Sequence, residues 1–489
     1  MPDSTSFRLP RFPPPRVLHR AAAPFRTLLP STRAKGFTVM PVASRGPLDR
    51  RRFLAASAGA ALSAAALPGC AASVDSGSGA KGAKETLTIM DVAWTKKDKQ
   101  NAERALGMNL EIVTYDVTKL NAMLAGKNPP DVVRGVGATD VPYFAARGLM
   151  TELDSYFAKS DVLKRSDLAP ANDVWRYAGS TRKQGTGPRY GMAKDYSQDC
   201  TFWYRTDMFE AAGLELPSET EPLSCDEWLD LGKRLVKRRL GKVKVYGLSG
   251  TALGGPLTQV MWMAASAGGS LFAEDLATVD FSSPEALKAL TWYLDYAKAD
   301  IGPSVVNPNP DGWDWPTYQA DRMAMATDGY WFGGAIGGDA KVAAVSRFAP
   351  APQLGSHRVS PCFSGTGYWI PKEAKHKDAA WKYFEWYFGG KPAEDRATSG
   401  WGIPSLNSLR SRMPRDTAFH KQSYEVQQRE LEHFSVLPVS PYAQVDALNA
   451  VLTKVLPEAV RSGTPAGKIA DTLNSQINEQ LARGKELVR

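Results

Sequence analysis

Aromatic residues of this chain collect beside Gly, Pro or Asp in segments with no helical period: Trp94, Tyr196, Trp262, Trp313, Trp315, Tyr330, Trp331, Trp401 and Tyr442. An aromatic face packs against the C–H face of a sugar ring, and neighbouring Asp, Asn, Gln or Arg side chains take its hydroxyls by hydrogen bonding. A cleft with apolar walls and a few directed polar groups is the general form of a small-molecule site. For any single Trp the competing place is the core. Trp381 and Trp386, which fall in a helical segment, are assigned there.

Residues for bond-making chemistry are sparse. The five histidines, His19, His357, His376, His420 and His433, do not pair at metal-ligand spacing. No Gly-x-Ser-x-Gly elbow occurs, and the nearest string, Ala264-Ala265-Ser266-Ala267-Gly268, recurs at residues 55–59 and reflects composition. The cluster Gly333-Gly334-Ala335-Ile336-Gly337-Gly338 lacks the Lys-Ser/Thr of a phosphate-binding loop and reads as a turn where backbone segments approach closely. No enzyme, cofactor or metal is therefore expected. An exported enzyme acting on carbohydrate is the alternative, because paired glycosidase carboxylates are defined by distance in space.

A leader precedes the elements that must position these residues. Asp49-Arg50-Arg51-Arg52-Phe53-Leu54 resembles a twin-arginine export signal, and the mild apolar stretch 55–66 is too short to span a membrane. Leu67-Pro68-Gly69-Cys70 resembles a lipobox, which implies a lipid on Cys70 and anchorage at the outer face of the cell membrane. Residues 1–39 read as a spurious or disordered extension, 40–69 as the signal peptide and 70–84 as a Ser/Gly-rich tether. Eleven of the 60 Lys and Arg residues but only two of the 51 acids precede Cys70, which leaves 49 of each sign from there on. The sequence pI of 9.2 is thus no sign of nucleic-acid binding. Cys200, Cys225 and Cys362 allow one disulfide with one thiol left over, and their positions do not choose the pair.

Residues 70–489 are long enough for two domains. Segments 87–90, 110–113 and 131–133 read as strands, alternating with helices at 96–106, 119–125 and 140–147, the last ended by Gly148. Ser224 and Glu227 have capping-box spacing, and Ser283-Pro284 marks another helix start. Leu448, Leu452, Val455 and Leu473 anchor a helical C-terminal region. The class is α/β, in two lobes.

Motifs in order along the body carry a resemblance. They are Leu124-Ala125-Gly126-Lys127-Asn128-Pro129-Pro130-Asp131-Val132-Val133, Trp203-Tyr204-Arg205-Thr206-Asp207-Met208-Phe209 with Ala212-Gly213-Leu214, Phe281-Ser282-Ser283-Pro284-Glu285-Ala286, Met323-Ala324-Met325 with Gly329-Tyr330-Trp331, and Gly365-Thr366-Gly367-Tyr368-Trp369-Ile370. The chain resembles extracellular solute-binding protein family 1, the maltose-binding-protein-like carbohydrate receptors of ABC importers. It departs from the family in a short first helix, in Arg205 where Asn is usual, and in Arg322 where Gly or Lys is usual.

The resemblance implies a periplasmic-binding-protein type II fold with a hinge and an interlobe cleft. Residues 85–193 and 355–410 would form one lobe, and 194–354 and 411–489 the other. It further implies that Trp94, Asp140, Tyr196, Gln198, Trp262, Asp328, Tyr330, Trp331, Thr366, Trp401 and Tyr442 line or flank the cleft. Trp331 would be the stacking platform, with Asp140 and Gln198 as hydroxyl partners. The competing roles are helix capping for Asp140 and a solvated loop for Gln198. Expected partners are a sugar or other polar solute, permease subunits and the membrane through the Cys70 lipid. The body is expected to be a monomer.

Overall fold

In the computed structural model, which describes residues 84–92, 94–251 and 254–488, side-chain alternation along short strands sorts the apolar residues into separate cores. Leu87 and Ile89 of strand Thr86–Asp91 enter one core, while Met90 enters a second. Val132 and Val133 of the neighbouring strand divide in the same way. The five-stranded sheet runs Asn109–Thr114, Thr86–Asp91, Val132–Val136, Thr366–Trp369, Gly191–Ala193. Its first three strands are parallel, and Thr366–Trp369 is antiparallel to both of its neighbours.

Helices Lys96–Leu106 and Lys377–Phe384 contribute Ala102, Ala380, Tyr383 and Phe384 to the core on one side of this sheet. On the other side, Val117–Ala125 and Gly137–Ala146 contribute Leu120, Leu124, Val141 and Phe144. Trp175 wedges between Gly137 and Gly191: a Cβ on either would come within 2.6 Å or 2.2 Å of its indole. Only glycine fits at those two positions.

A second sheet is centred on Phe202–Arg205, flanked by Met325–Ala326 and Ser346–Ala349, both antiparallel to it. Phe202 and Tyr204 face a large helical core, and Trp203 between them faces a different one. That large core holds a stack of Trp228 on Trp292 (5.5 Å, 9°) and Trp292 on Tyr296 (5.7 Å, 8°). Helices Pro256–Ser266, Pro284–Ala299, Val445–Ser462 and Ala466–Glu486 enclose it. The chain passes between the two sheet systems through paired ribbons. Asp195–Tyr196 lies antiparallel to Ile403–Pro404, and Ser360–Pro361 lies parallel to Phe434–Ser435.

Local expectations meet several outcomes. The Ser224–Glu227 capping box forms, with the Glu227 N–H donating to Ser224 Oγ (3.1 Å) and the Ser224 N–H to Glu227 Oε2 (2.8 Å). Ser283 occupies its N-cap position, but its hydroxyl donates to the Asp280 carbonyl instead (3.1 Å). The helix expected from residue 140 starts at Gly137, because Asp140 reaches back to accept the Val136 N–H and so lies within the first turn. The glycine cluster is a short helix, Gly333–Gly337, and not a turn; its glycines admit the indoles of Trp203 and Trp401. Cys200, Cys225 and Cys362 are buried free thiols, so none of the allowed disulfides forms. The leader and Cys70 lie outside the described residues. Among the described residues no helix is long and apolar enough to cross a membrane.

The Trp228 stack yields a stability prediction. Trp228→Ala removes the fully buried end ring of that stack and should lower unfolding free energy by roughly 3–5 kcal/mol in urea titration.

Candidate functional site

The loops following the carboxyl ends of the three parallel strands share one edge of the first sheet, the usual place for a ligand in an open α/β sheet. At the end of the first strand, the Asp91 carboxylate accepts the Val92 N–H (2.7 Å), the Trp94 indole N–H (2.8 Å) and the Tyr368 hydroxyl. These bonds fix Trp94 against a cavity of about 550 Å³ whose wall includes Tyr368, Trp386, Tyr387 and Arg396. Trp386, assigned to the core from sequence, packs against that core and also lines this cavity. It lies in a π-helical turn, Glu385–Gly389, that widens the helix there.

At the ends of the other two strands, Tyr115, Arg134 and Asp140 interact with one another and with Asp446 at the start of helix Val445–Ser462. Asp140 Oδ2 accepts the Val136 N–H at 2.7 Å, so it does cap its helix. Burial pushes its carboxyl up to about 6, and repulsion from Asp446 adds to that. Burial likewise raises the Tyr115 phenol, with Asp140 and Asp446 contributing.

Beside this group, contacts distant in sequence meet. The Arg147 guanidinium, 3.6 Å above the Tyr143 ring, donates to the carbonyls of Pro441 (2.7 Å) and Tyr442 (3.1 Å). Asn121 donates to Gln444 at 3.2 Å. Arg182 donates to the Tyr442 hydroxyl at 2.6 Å. A cavity of about 780 Å³ lies nearby, with Pro142, Tyr177 and Gln184 on one side and Phe272, Glu274 and Val439 on the other.

The crossing segments carry a polar interior. Asp199 Oδ2 accepts the N–H groups of Phe363 (2.8 Å) and Ser364 (2.9 Å), and Oδ1 accepts the Ser364 hydroxyl (3.2 Å). Burial pushes the Asp199 carboxyl up to about 7 against those bonds. Asp314 and Asp328 hydrogen-bond to each other, and burial raises both, Asp328 the more strongly through its proximity to Asp314 and Asp199. Gly329 brings the two segments together: a Cβ there would meet Ser197 Oγ at 2.5 Å and the Gln198 carbonyl at 2.9 Å. In this region Gln198 Oε1, Asp328 Oδ2 and Trp331 Nε1 are buried without a hydrogen-bond partner.

The sequence-derived candidates thus separate. Gln198 and Asp328 belong to the two segments that Gly329 brings together, and Trp331 stacks on Trp401 (6.3 Å, 18°), which is 36% exposed. Gln198 is fully buried, its amide donating to the Gln427 carbonyl, and does not lie in a solvated loop. Thr366 is half-buried opposite Val136, close to Asp140. Tyr196 is buried, its hydroxyl held by Arg410. Tyr330 is buried edge-on to Phe348, with its N–H on Ser197 Oγ (2.7 Å). Trp262 has no exposed surface; it packs against Trp228 inside the large core and donates to the Val359 carbonyl. Tyr442 is buried in the same core and presents only its hydroxyl, to Arg182. Tyr115, Arg134, Trp386 and Asp446 were missed; no local motif marks them, and only the strand directions and helix starts place them. Among the described residues no group of three or more His, Cys, Asp or Glu is arranged to hold a metal ion.

Comparison with known proteins places this architecture. The family model for bacterial extracellular solute-binding proteins matches residues 113–392, and the chain belongs to that family. A mannitol-binding protein of Pseudomonas aeruginosa is 25% identical over 195 residues, 39% of this chain and 43% of that relative, so the match spans less than half of the relative's length. An ABC substrate-binding protein from Listeria monocytogenes in complex with cycloalternan superposes with a TM-score of 0.67 at 20% identity, covering 82% of this chain and 99% of that one. A solute-binding protein from Agrobacterium vitis with bound D-mannitol gives a TM-score of 0.64 at 21% identity over 82% and 99% of the two chains. These likenesses establish the two-lobed binding-protein fold, and the family is an extracellular one.

The Asp199 carboxyl makes a pH prediction. An acid raised by burial stabilises the fold while protonated, fully below the ordinary carboxylate range, and loses that contribution as pH rises through about 7. Asp199→Asn keeps one oxygen for both amides. It should raise the melting temperature by about 2–4 °C near pH 8, with the gain vanishing near pH 4.

Proposed function

We propose that this protein captures a sugar or polyol between its two lobes and delivers it to the permease of an ABC importer. The observation that supports this best is the set of unpartnered buried atoms, Gln198 Oε1, Asp328 Oδ2 and Trp331 Nε1. Gln198 Oε1 accepts, Trp331 Nε1 donates, and the Asp328 carboxyl, which burial favours in its protonated form, can do either; a hydroxyl can serve each kind. Leaving each unpaired costs about 1–3 kcal/mol, which a polyhydroxylated ligand would recover on binding. Trp94, over the cavity at the sheet edge, offers an aromatic face for a ring. The ligands of similar proteins, cycloalternan and D-mannitol, belong to the same chemical class.

In this reading residues 85–193 and 355–410 form one lobe, and 194–354 and 411–489 the other. Ligand drives closure through its greater affinity for the closed form, in which Arg147 and Asn121 clasp the 441–444 segment. A lipid on Cys70 holds the monomeric body at the membrane, and the protein performs no covalent chemistry. Replacing Cys70 by Ala should release the exported chain from the membrane fraction.

Calorimetric titration with a panel of hexitols, hexoses and oligosaccharides tests the ligand class. One member should bind, and Asp328→Ala should weaken it about 10–100-fold, while Trp262→Phe, inside the core, should leave affinity unchanged. Release of a cleaved product would favour a carbohydrate-active enzyme, and no binding across the panel would overturn the sugar reading.

A further inference from the structure

Seven Lys and Arg residues fall in the stretch from Lys233 to Lys244, with no Asp or Glu among them. They begin on helix Cys225–Leu235 and continue through a hairpin of Lys237–Arg239 and Lys242–Val245. The turn residues Leu240 (φ 51°) and Gly241 (φ 73°) are both left-handed, as a two-residue primed turn requires. Pairing sets Lys242 opposite Arg239. Val243 and Val245 are half-buried against the body, while Lys242 and Lys244 alternate with them outward into solvent.

Lys233 pairs with Asp230 (3.2 Å) and Arg238 with Asp300 (3.1 Å). Arg234, Lys237, Arg239, Lys242 and Lys244 form no ion pair among the described residues. At the tip Leu240 is 94% exposed, the most exposed of the large apolar side chains in the described residues. A charged or polar residue there would keep the turn soluble at no packing cost. Leucine at that place adds nothing to the fold.

We propose that this hairpin is a membrane-surface contact, which docks the folded body on a bilayer containing anionic phospholipid with Leu240 entering the headgroup boundary. The charge row supplies attraction to a negative surface, and the apolar tip supplies a contact that only a bilayer offers. A soluble polyanion would use the cations and ignore the leucine. The body has as many acids as bases beyond Cys70, so the attraction is local to this patch and orients the molecule. An extracellular receptor gains from that orientation, because its cargo must be handed to a membrane-embedded partner. The inference does not depend on which ligand the cleft takes.

Co-sedimentation of the full-length chain with phosphatidylcholine vesicles, with and without phosphatidylglycerol, tests it. Partition should be about tenfold higher on the anionic vesicles and fall with added salt. Lys237→Gln/Lys242→Gln/Lys244→Gln, compared with the parent so that the leader contributes equally, should remove most of that excess. Leu240→Asn, which keeps the charge and suits a left-handed turn, should lower it several-fold. Thermal melts of both variants should match the parent, since the substituted side chains are exposed. Equal partition on the two vesicle types, or an unchanged triple variant, overturns the proposal. So does an unchanged Leu240→Asn, which would assign the patch to a soluble polyanion.

Discussion

One carboxylate oxygen receives two backbone amides where the chain leaves the first sheet and where it returns, and much of the architecture depends on that junction. Asp199 Oδ2 holds Phe363 and Ser364. The next residues then run into the sheet: the Ser364 and Gly365 carbonyls accept the N–H groups of Ala138 and Gly137, both at 3.3 Å. The Trp175 indole N–H donates to the Gly365 carbonyl at 2.9 Å. One chain of hydrogen bonds therefore connects the crossing to the helix that carries Asp140. A group buried this deeply prefers to be neutral, so the junction is held against an electrostatic penalty. Such a penalty is tolerated where geometry matters more than stability.

The aromatic residues show how burial, more than residue type, assigns roles. Trp262 and Tyr442 look as available in the sequence as Trp94 and Trp401, yet their rings fill the large core. Trp94 escapes because its indole N–H is spent on Asp91 while its face stays beside a cavity. Trp401 keeps part of its surface exposed although its ring lies against the Gly334 backbone. A side chain at either glycine–indole contact, Gly333 with Trp203 or Gly334 with Trp401, would displace the ring it meets.

The α/β class and the first strands were legible because local signals agree with the final packing. The 87–90 and 131–133 runs are short, apolar and flanked by helix starts, and the Ser224–Glu227 spacing closes into its cap. The candidate site was legible only in part. Gln198, Asp328 and Trp331 each keep a buried polar atom without a hydrogen-bond partner, and Gly329 joins the two segments that carry the first two. The meeting of Trp94 with Trp386, and of Tyr115 with Asp446, joins residues about 290 and 330 positions apart, and no local pattern encodes such pairs. Trp386 packs against the core as its helical segment suggests, and in addition lines a cavity from a π-helical turn. Asp140 accepts the Val136 N–H from the first turn of its helix and stands near Arg134 and Asp446, a neighbourhood that its own stretch of sequence does not announce.

The Trp331–Trp401 stack has a spectroscopic consequence. One ring belongs to the short helical turn Tyr330–Phe332, and the other to the segment leading into the Ile403–Pro404 crossing. Two indoles 6.3 Å apart and 18° from parallel couple their transition dipoles, so they absorb polarised light as a pair and not as independent chromophores. A change in the distance or angle between the two rings changes that coupling. The geometry of this pair is thus readable in near-ultraviolet circular dichroism without a label.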